Sequence, residues 1–340
     1  MNQGSTIVIT SIAGPENKVL QTFAKECMER DIRFIVIGDK PSPKDFHLQG
    51  CEFYGLEKQK ESGFQFATMV PERHYSRKNI GYLKAIQGGS KLIVETDDDN
   101  FPRANFWKER QRSHTAPMLE NTGWINVYKY FGAGNIWPRG YPLEYLQNNI
   151  PLLSNCRTAA ADCPIQQGLA DENPDVDAVY RLTQSLPYTF EKNIQLALGS
   201  GSWCPFNSQN TTFFYDAFPL LYLPSYCSFR MTDIWRSFVA QRICWENNWF
   251  VLFDEATVWQ ERNTHNLLRD FEEEIPGYLN NAKIAQTLAN LQLKKGLKNM
   301  AQNLLDCYQA LVDKGWVGQE EMELLKAWIA DLNKLKQSQI

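Results

Sequence analysis

The first hundred residues alternate between strand-like and helix-like segments, and this alternation restricts the fold more than any other feature. The strand-like runs are STIVITSIAG (5–14), RFIVIGDK (33–40, with Asp39 just beyond the end of the strand), EFY (52–54) and KLIVET (91–96). Between them, residues 16–31 carry apolar side chains at helical spacing, and residues 76–87 form a second helical segment that Gly88 and Gly89 end. Strands that alternate with helices form a parallel sheet covered on both faces. The sequence therefore predicts an α/β fold with a mainly parallel sheet.

The remainder of the chain divides into a loop-rich middle and a helical tail. Further strands are expected at 122–132, 175–183 and 250–262, with a helix at 232–249. The long stretch between the first two of these strands is expected to be a functional loop or to contain short helices. From about residue 279 the pattern predicts two or three amphipathic helices. We expect a main domain at residues 1–275 and a helical C-terminal appendage at residues 276–340.

Composition argues against several classes of protein. A net charge of −4 is unlike the basic excess of nucleic-acid binders. The eight cysteines are scattered without a CxxC pair, which favours reduced thiols in a cytoplasmic protein. No signal peptide is expected, and no run of about eighteen apolar residues predicts a membrane span. Ten tryptophans favour a sugar-binding site or a large core.

Three consecutive aspartates, Asp97, Asp98 and Asp99, follow the strand-like run KLIVET. Adjacent carboxylates repel one another, so this is either a solvated acidic turn or a site for a cation. Ligands of open α/β sheets bind beyond the carboxyl ends of the strands, where Gly14 and Asp39 are also expected. Carboxylates suit Mg²⁺ and Mn²⁺, which typically bind one or two of them together with substrate phosphates. The position after a strand therefore favours a metal site that would neutralise a leaving diphosphate.

Basic residues cluster at the start of the helix that precedes these aspartates. Arg73, Arg77 and Lys78 lie where backbone N–H groups and the helix dipole attract an anion. The alternative is a solvated basic turn. A basic helix start and an acidic strand end, about twenty residues apart, together indicate a site for a metal and a diphosphate.

Five stretches, in this order, resemble the STELLO family of glycosyltransferase-like proteins. They are SRKNIGYLKAI, ETDDDN, NIWPRGYPL, IQQGLADENPDVDAVYRLT and TDIWRSF. TDDDN, WPRGYPL and TDIWRSFVAQ are also similar to the reversibly glycosylated polypeptides, which include UDP-arabinopyranose mutases. The resemblance covers roughly residues 5–270 and leaves out the tail. It implies a GT-A-like (Rossmann-like) nucleotide-sugar domain over residues 1–275, in which an Asp-x-Asp element follows a sheet strand.

The resemblance also implies roles for individual residues. Asp97 and Asp99 match the motif that holds Mn²⁺ or Mg²⁺, and Asp97 and Asp98 the motif that binds the nucleotide diphosphate. Arg139 matches an arginine of the mutases that lies at the sugar and becomes glycosylated. Asp233 matches an acidic residue near the sugar. Arg139 and Asp233 are therefore the candidate catalytic residues.

Three further residues complete the expected donor site, with Asp39 at the nucleoside and Arg77 and Lys78 at the diphosphate. Structural roles stay open beside these functional ones. Arg139 offers paired donors that suit a phosphate, or equally a salt bridge to Asp175 or Asp177.

The chain departs from the mutase pattern at two positions. Leu146 stands where the mutases carry a second arginine, and Gln260 follows Trp259 where they carry a histidine. His265 is a candidate to replace that histidine. Asp233, for its part, has the alternative of a helix N-terminal carboxylate that the dipole favours.

The sequence thus predicts a metal-dependent glycosyltransferase with a nucleotide-diphosphate sugar donor, for which the resemblance favours UDP. Its acceptor would be a glycan, a lipid-linked sugar or a protein. One alternative is a UDP-sugar mutase or self-glycosylating protein that acts through Arg139. Another is a non-catalytic scaffold whose tail binds a partner.

Overall fold

A mixed β-sheet with helices on both faces forms the centre of the molecule, in a computed structural model that describes residues 1, 3–132, 134–261 and 266–337. The strands are β1 Ser5–Thr10, β2 Arg33–Ile37, β3 Glu52–Tyr54, β4 Leu92–Thr96, β5 Asn100–Pro102, β6 Ser113–Leu119, β7 Gly123–Trp124, β8 Thr158–Asp162, β9 Ile165–Asp171, β10 Gln195–Leu198, β11 Ser202–Trp203, β12 Asn210–Phe214 and β13 Val251–Gln260. The helices are α1 Lys18–Glu29, α2 Leu56–Lys60, α3 Gln65–Met69, α4 Lys78–Gln87, α5 Ala178–Thr183, α6 Thr232–Trp245, α7 Leu267–Ala289, α8 Met300–Asp313 and α9 Glu321–Gln337.

The sheet combines a parallel half with a mixed half. Its strand order is β3-β2-β1-β4-β12-β9-β13-β10-β6-β8, and β5 pairs with the end of β13. The strands β3, β2, β1 and β4 are parallel, whereas β12 runs antiparallel to both β4 and β9. The predicted α/β fold with helices on both faces is confirmed, and its GT-A-like character stays a prediction.

The N-terminal half follows directly from its sequence pattern. The side chain of Asn17 caps α1 by accepting a hydrogen bond from the N–H of Leu20 at 2.9 Å. The apolar stripe of α1 packs on one face of the sheet, where the rings of Phe23 and Phe34 lie 5.9 Å apart. Helices α4 and α6 contribute to the large cluster on the other face. This arrangement brings the carboxyl ends of β1, β2 and β4 to one edge of the sheet.

Two strands predicted in the middle of the chain are wrong. Residues 178–183 form helix α5, because Asp177 accepts a hydrogen bond from the N–H of Tyr180 at 2.7 Å and caps the helix. Of residues 122–132, only Gly123–Trp124 is a strand, and Val127–Phe131 is a 3₁₀ helix. The supposed loop between them contains β8 and β9, and β9 is a central strand of the sheet.

The C-terminal helices contact the sheet domain extensively. The expected domain boundary between residues 275 and 276 falls inside α7, and buried side chains of α8 and α9 belong to the same hydrophobic cluster as α4 and α6. The division into two domains stays a prediction. In the part of the chain that the structure describes, no helix is both long and apolar enough to span a membrane.

Candidate functional site

A cavity of about 300 Å³ opens at the carboxyl end of β4. Asp97, Asp98 and Asp99 line one side of it, and Arg139 and Asp233 line the other. Arg139 lies in the loop after the 3₁₀ helix, and Asp233 in the first turn of α6. The structure thus brings together five of the candidate residues from three distant segments of the chain.

Each aspartate of the acidic run has a different partner. The buried Lys78 Nζ lies 2.9 Å from Asp97 Oδ1 and also donates to the carbonyl of Ser208 at 3.3 Å. The Ser11 hydroxyl donates to Asp98, and Gln260 Nε2 donates to Asp99 Oδ2 at 2.9 Å. Lys78 therefore places a buried ammonium group directly beside Asp97, which lines the cavity.

Burial and the neighbouring charge of Asp97 raise the pKa of Asp98, although the hydrogen bond from Ser11 opposes the shift. Carboxylates are the donors that Mg²⁺ and Mn²⁺ prefer, so the acidic run fits such a cation chemically. Within the described residues, no group of three His, Cys, Asp or Glu side chains is arranged to hold a metal.

Arg139 has all five of its N–H donors occupied by protein acceptors. Its guanidinium forms paired bonds to Asp175 at 2.8 and 2.9 Å and to Asp233 at 3.1 and 2.8 Å, and it also donates to the carbonyl of Arg230. Burial alone would lower the pKa of Arg139, but the two carboxylates raise it well above its usual value. Of the two aspartates that the sequence offered as partners, Asp175 forms the salt bridge with Arg139, whereas Asp177 does not.

The glycine after Arg139 fixes the shape of its loop. Gly140 has φ +86, and a Cβ atom there would come within 2.4 Å of Ile234. Both the backbone conformation and the space therefore require glycine. This contact seats the loop against the start of α6 and so brings Arg139 to Asp233.

Asp233 is a buried carboxylate that stays ionised. Burial would raise its pKa, but the charge and hydrogen bonds of Arg139 outweigh this effect and lower the pKa to about 2. Asp233 also accepts from the N–H of Ser208 at 3.1 Å, and its own N–H donates to the Tyr75 hydroxyl at 2.8 Å. Asp233 does lie in the first turn of α6, as the alternative of a helix N-terminal carboxylate expects, and it also forms an ion pair with Arg139.

A second cavity of about 490 Å³ adjoins the first, and Tyr75, Asp98 and Phe229 line both. Asp39 lies in this second cavity, where it accepts from the N–H groups of Lys40 at 2.7 Å and His74 at 2.9 Å. Its lining is mainly apolar. The two cavities together form a continuous cleft over the ends of β1, β2 and β4.

An aromatic cluster lies where the two cavities meet. The rings of His74 and Tyr75 stack at 5.8 Å, and the half-exposed ring of Phe229 meets them edge-on at 5.2 and 5.1 Å. Burial lowers the pKa of His74 to about 4, so its ring is neutral at physiological pH. Sequence reasoning missed this cluster, and the only signal was its position just before the basic helix start.

Arg77 lines the second cavity, but its guanidinium bonds protein acceptors outside the acidic run. Its guanidinium donates to Gln59 Oε1 at 2.8 and 2.6 Å and to the carbonyls of Val70 and Pro71 at 3.1 and 3.3 Å. A direct contact with a diphosphate would break these bonds. Its role at the diphosphate stays a prediction, as do those of Asp39 and Lys78.

Of the two positions that depart from the mutase pattern, only Gln260 lines the first cavity. Leu146 is partly buried against the hydrophobic core, outside the first cavity. Gln260 lines the first cavity and contacts Asp99, where the mutase pattern has a histidine. His265 lies outside the described residues.

Asp177 lies two residues from Asp175, and its buried carboxyl group should make the stability of the protein depend on pH. Burial raises its pKa from 3.8 to about 7, although Tyr180 and Trp137 donate hydrogen bonds to it. The folded state thus holds a proton that the unfolded state releases, and the stabilisation from this proton is lost as the pH rises from 3.8 towards about 7. We expect Asp177→Asn, which stays neutral, to gain a few kcal/mol relative to the parent over this range. Urea unfolding at several pH values measures the difference, and a constant difference would contradict it.

Residues 230–339 match the model of the family described as STELLO glycosyltransferases. The chain is 29% identical over 325 residues to "Probable glycosyltransferase STELLO1" of Arabidopsis thaliana, covering 89% of this chain and 41% of that protein. It is also 29% identical over 317 residues to "Probable glycosyltransferase STELLO2" of the same plant, covering 88% and 41%. The chain thus spans about two-fifths of the length of these relatives.

Solved structures resemble the chain only weakly. "Crystal Structure of a Mycobacterial Protein" aligns with a TM-score of 0.39 and 9% identity over 82% of this chain and 74% of that one. "Crystal structure of S. aureus TarS" aligns with a TM-score of 0.34 and 12% identity over 98% and 48%. Similarities this low support no conclusion about fold or function.

The sequence comparisons confirm the resemblance to the STELLO family and correct its extent. The resemblance was expected to end near residue 270, but the family match continues through the C-terminal helices to residue 339. The relation to the reversibly glycosylated polypeptides stays a prediction. Over most of its length, this chain is similar in sequence to two plant proteins that are named as probable STELLO glycosyltransferases.

Proposed function

We propose that the protein transfers a sugar from a nucleoside-diphosphate donor to an acceptor hydroxyl. The observation that carries this proposal is the cleft itself, in which an acidic run and an Arg–Asp pair line one cavity and a buried lysine pairs with the acidic run. The adjoining apolar cavity suits a nucleoside. The similarity to proteins named as probable glycosyltransferases supports the same activity.

In this proposal the residues of the cleft divide the donor between them. Asp39 contacts the nucleoside, Lys78 the diphosphate, and Arg139 and Asp233 form the sugar subsite. Because the pKa of Asp233 is lowered to about 2, this carboxylate accepts a hydrogen bond from a sugar hydroxyl better than it removes a proton. Arg77 bonds the loop that carries Val70 and Pro71, and its expected contact with the diphosphate stays a prediction.

We assign Mn²⁺ or Mg²⁺ to Asp97 and Asp99, with Asp98 beside the diphosphate. A cation there would act as a Lewis acid that neutralises the charge of the departing nucleoside diphosphate. Lys78 supports this assignment, because its ammonium group pairs with Asp97 and is available to a phosphate oxygen when the metal binds. UDP is the first nucleotide to test in the donor, since the family resemblance favours it.

Self-glycosylation through Arg139 has less support. A nucleophilic nitrogen must lose a proton and present a lone pair, but this guanidinium donates all five N–H groups and its pKa is raised. Intact-mass measurement after incubation with UDP-sugars is therefore expected to show no glycosyl adduct. An adduct that disappears in Arg139→Lys would favour the self-glycosylating alternative.

A thermal-shift screen of UDP-, GDP- and ADP-sugars with and without Mn²⁺ tests the proposal. We expect the largest shift for a UDP-sugar with Mn²⁺, because a ligand that binds only the folded state stabilises it by about 2.7 kcal/mol at a hundredfold excess over Kd. The shift should vanish in the double variant Asp97→Asn and Asp99→Asn.

The matched control changes two exposed aspartates that line neither cavity of the cleft, Asp45→Asn and Asp313→Asn, and should keep the full shift. If no sugar nucleotide raises the melting temperature of the parent protein, the hypothesis of a non-catalytic scaffold explains the protein better. If the shift occurs equally without metal, the donor site stands and the metal assignment is wrong.

A further inference from the structure

A third cavity, of about 360 Å³, lies away from the acidic run, between the two-stranded ladder of β7 and β11, the loop after Pro142, and helix α7. Its volume falls in the range of about 300–1,000 Å³ that ligand sites occupy. Trp124, Trp203 and Tyr145 supply aromatic surface to it. None of the residues that we assign to the donor lines this cavity.

The rings form a connected aromatic platform. Trp124 and Tyr145 are nearly parallel, with centroids 6.2 Å apart and planes 18° apart, and Trp203 lies 6.3 Å from Trp124. Trp124 and Tyr145 are only half-buried, so parts of both rings stay accessible. A ring face carries partial negative charge and attracts C–H groups that bear partial positive charge.

The polar part of the lining consists of neutral groups. Asn148 and Asn149 are exposed and line the cavity together with Gln286 of α7. Amide side chains both donate and accept hydrogen bonds, which suits hydroxyl groups that do the same. Among the described residues, no charged side chain lines this cavity, in contrast to the cavity at the acidic run. The lining therefore disfavours a phosphate or carboxylate ligand.

Helix α7 leaves the space open because it presents small side chains to it. Ala282, Ala285 and Ala289 lie on one face of the helix at helical spacing and line the cavity. The preceding turn anchors the same helix near the donor site, since Asn281 Nδ2 donates to the carbonyl of Gly140 at 2.8 Å. The cavity thus lies one loop away from Arg139, and Tyr145 belongs to that loop.

We propose that this cavity is a second binding site, for a neutral saccharide whose C–H face packs on Trp124 and Tyr145 while its hydroxyl groups bond Asn148, Asn149 and Gln286. A saccharide combines an apolar face with hydroxyl groups at its edge, and the lining combines the same two chemistries without charge. This inference goes beyond the proposed function and does not depend on it, because binding here requires neither donor nor metal.

Saturation-transfer NMR with the full chain tests the proposal, with cellotriose, maltotriose, xylotriose, mannotriose and chitotriose as probes. We expect at least one of them to receive saturation, most strongly on the C–H groups of one ring face. Ala289→Phe places a ring in the cavity from an exposed helix position and should weaken the affinity about tenfold or more. The same substitution at the exposed Ala330 of α9, outside the cavity, is the matched control and should change nothing.

The double variant Asn148→Ala and Asn149→Ala provides an independent test, because both residues are exposed and their loss should leave the fold intact. It too should weaken binding, whereas an excess of UDP should not displace the saccharide. The proposal is overturned if none of the five probes receives saturation, or if Ala289→Phe leaves the affinity unchanged. It is also overturned if UDP displaces the saccharide, because the ligand would then occupy the donor cleft.

Discussion

Arg139→Met is expected to lower the free energy of unfolding by about 3–5 kcal/mol, because it removes the cation between two buried carboxylates. The side chains of Asp175 and Asp233 are only 13% and 5% exposed, so water in the cavity replaces only a small part of the lost pairing. Both carboxylates would then lie buried without the guanidinium that neutralises them. Urea denaturation measures the loss, which should also lower the melting temperature by roughly 10 °C.

The control for this variant is Arg269→Met, which removes a similar side chain from the surface. Arg269 is 75% exposed and pairs with Glu273 four residues later on α7. Exposed pairs of this kind contribute little, so the expected change is about 0.5 kcal/mol or less. Equal losses in the two variants would contradict a special role for the buried pair.

Arg139→Lys separates the charge of Arg139 from its geometry. Lysine keeps the positive charge but offers three donors from one atom, so it cannot form paired bonds to Asp175 and Asp233 together. We therefore expect a stability between those of the parent and of Arg139→Met. A lysine variant as stable as the parent would mean that charge alone holds the two carboxylates.

Sequence patterns predicted the parallel half of the sheet because its strands follow simple rules. β1, β2 and β4 are buried β-branched runs, and α1 has a cap and an apolar stripe. The pattern fails at β9 and β12, where polar side chains are buried and satisfy one another. Gln167 Oε1, for example, accepts from the N–H of Asn207 at 2.8 Å and from Thr211 Oγ1 at 3.0 Å. A strand stabilised by such a network shows no apolar alternation.

The candidate site was predictable only in part, for a related reason. The position of the acidic run at a strand end follows from local pattern. The meeting of Arg139 with Asp233, 94 residues later, does not, and only the family resemblance indicated both. Neither the local pattern nor the family resemblance predicts which acceptors a side chain binds. Arg77, for example, donates to Gln59, and this contact depends on the tertiary fold.

The tail is where the sequence pattern was least informative. The amphipathic pattern after residue 276 suggested a separate appendage, because the period of a helix does not reveal what its apolar face contacts. In the structure, buried carboxylates of α7 and α9 reach loops at the cleft. Glu274 of α7 pairs with Arg230 at 2.8 Å, and Glu321 of α9 accepts from the N–H groups of Ser225 and Tyr226. The tail thus helps to shape the cleft.

Glu321→Ala is expected to lower the free energy of unfolding by about 2–4 kcal/mol and to loosen the loop that leads to the cleft. Glu321 is fully buried, and it accepts from Ser225 N–H at 2.9 Å, from Tyr226 N–H at 2.7 Å and from the Tyr222 hydroxyl. Alanine would leave these donors without an acceptor. Hydrogen exchange should therefore speed up at the amides of Ser225 and Tyr226, and urea denaturation measures the overall loss.

The effect should reach the cleft through a chain of hydroxyl groups. Ser225 Oγ lies 2.7 Å from Ser76 Oγ, which lies 2.7 Å from His74 Nδ1, and His74 packs against Tyr75 between the two cavities. Loss of Glu321 is thus expected to raise exchange at Ser76 as well. A purely local role of Glu321 would leave the amide of Ser76 unchanged.

Two variants decide whether hydrogen bonding to Glu321 is the cause. Glu320→Ala makes the same change at the exposed neighbouring residue and should alter neither stability nor exchange. Glu321→Gln keeps an oxygen that can accept from both N–H groups, so it should lose much less stability than alanine. If glutamine is as damaging as alanine, the negative charge of Glu321 holds the loop. If Glu320→Ala raises exchange equally at Ser225 and Tyr226, the start of α9 is merely sensitive to substitution, and the tail has no specific role at the cleft.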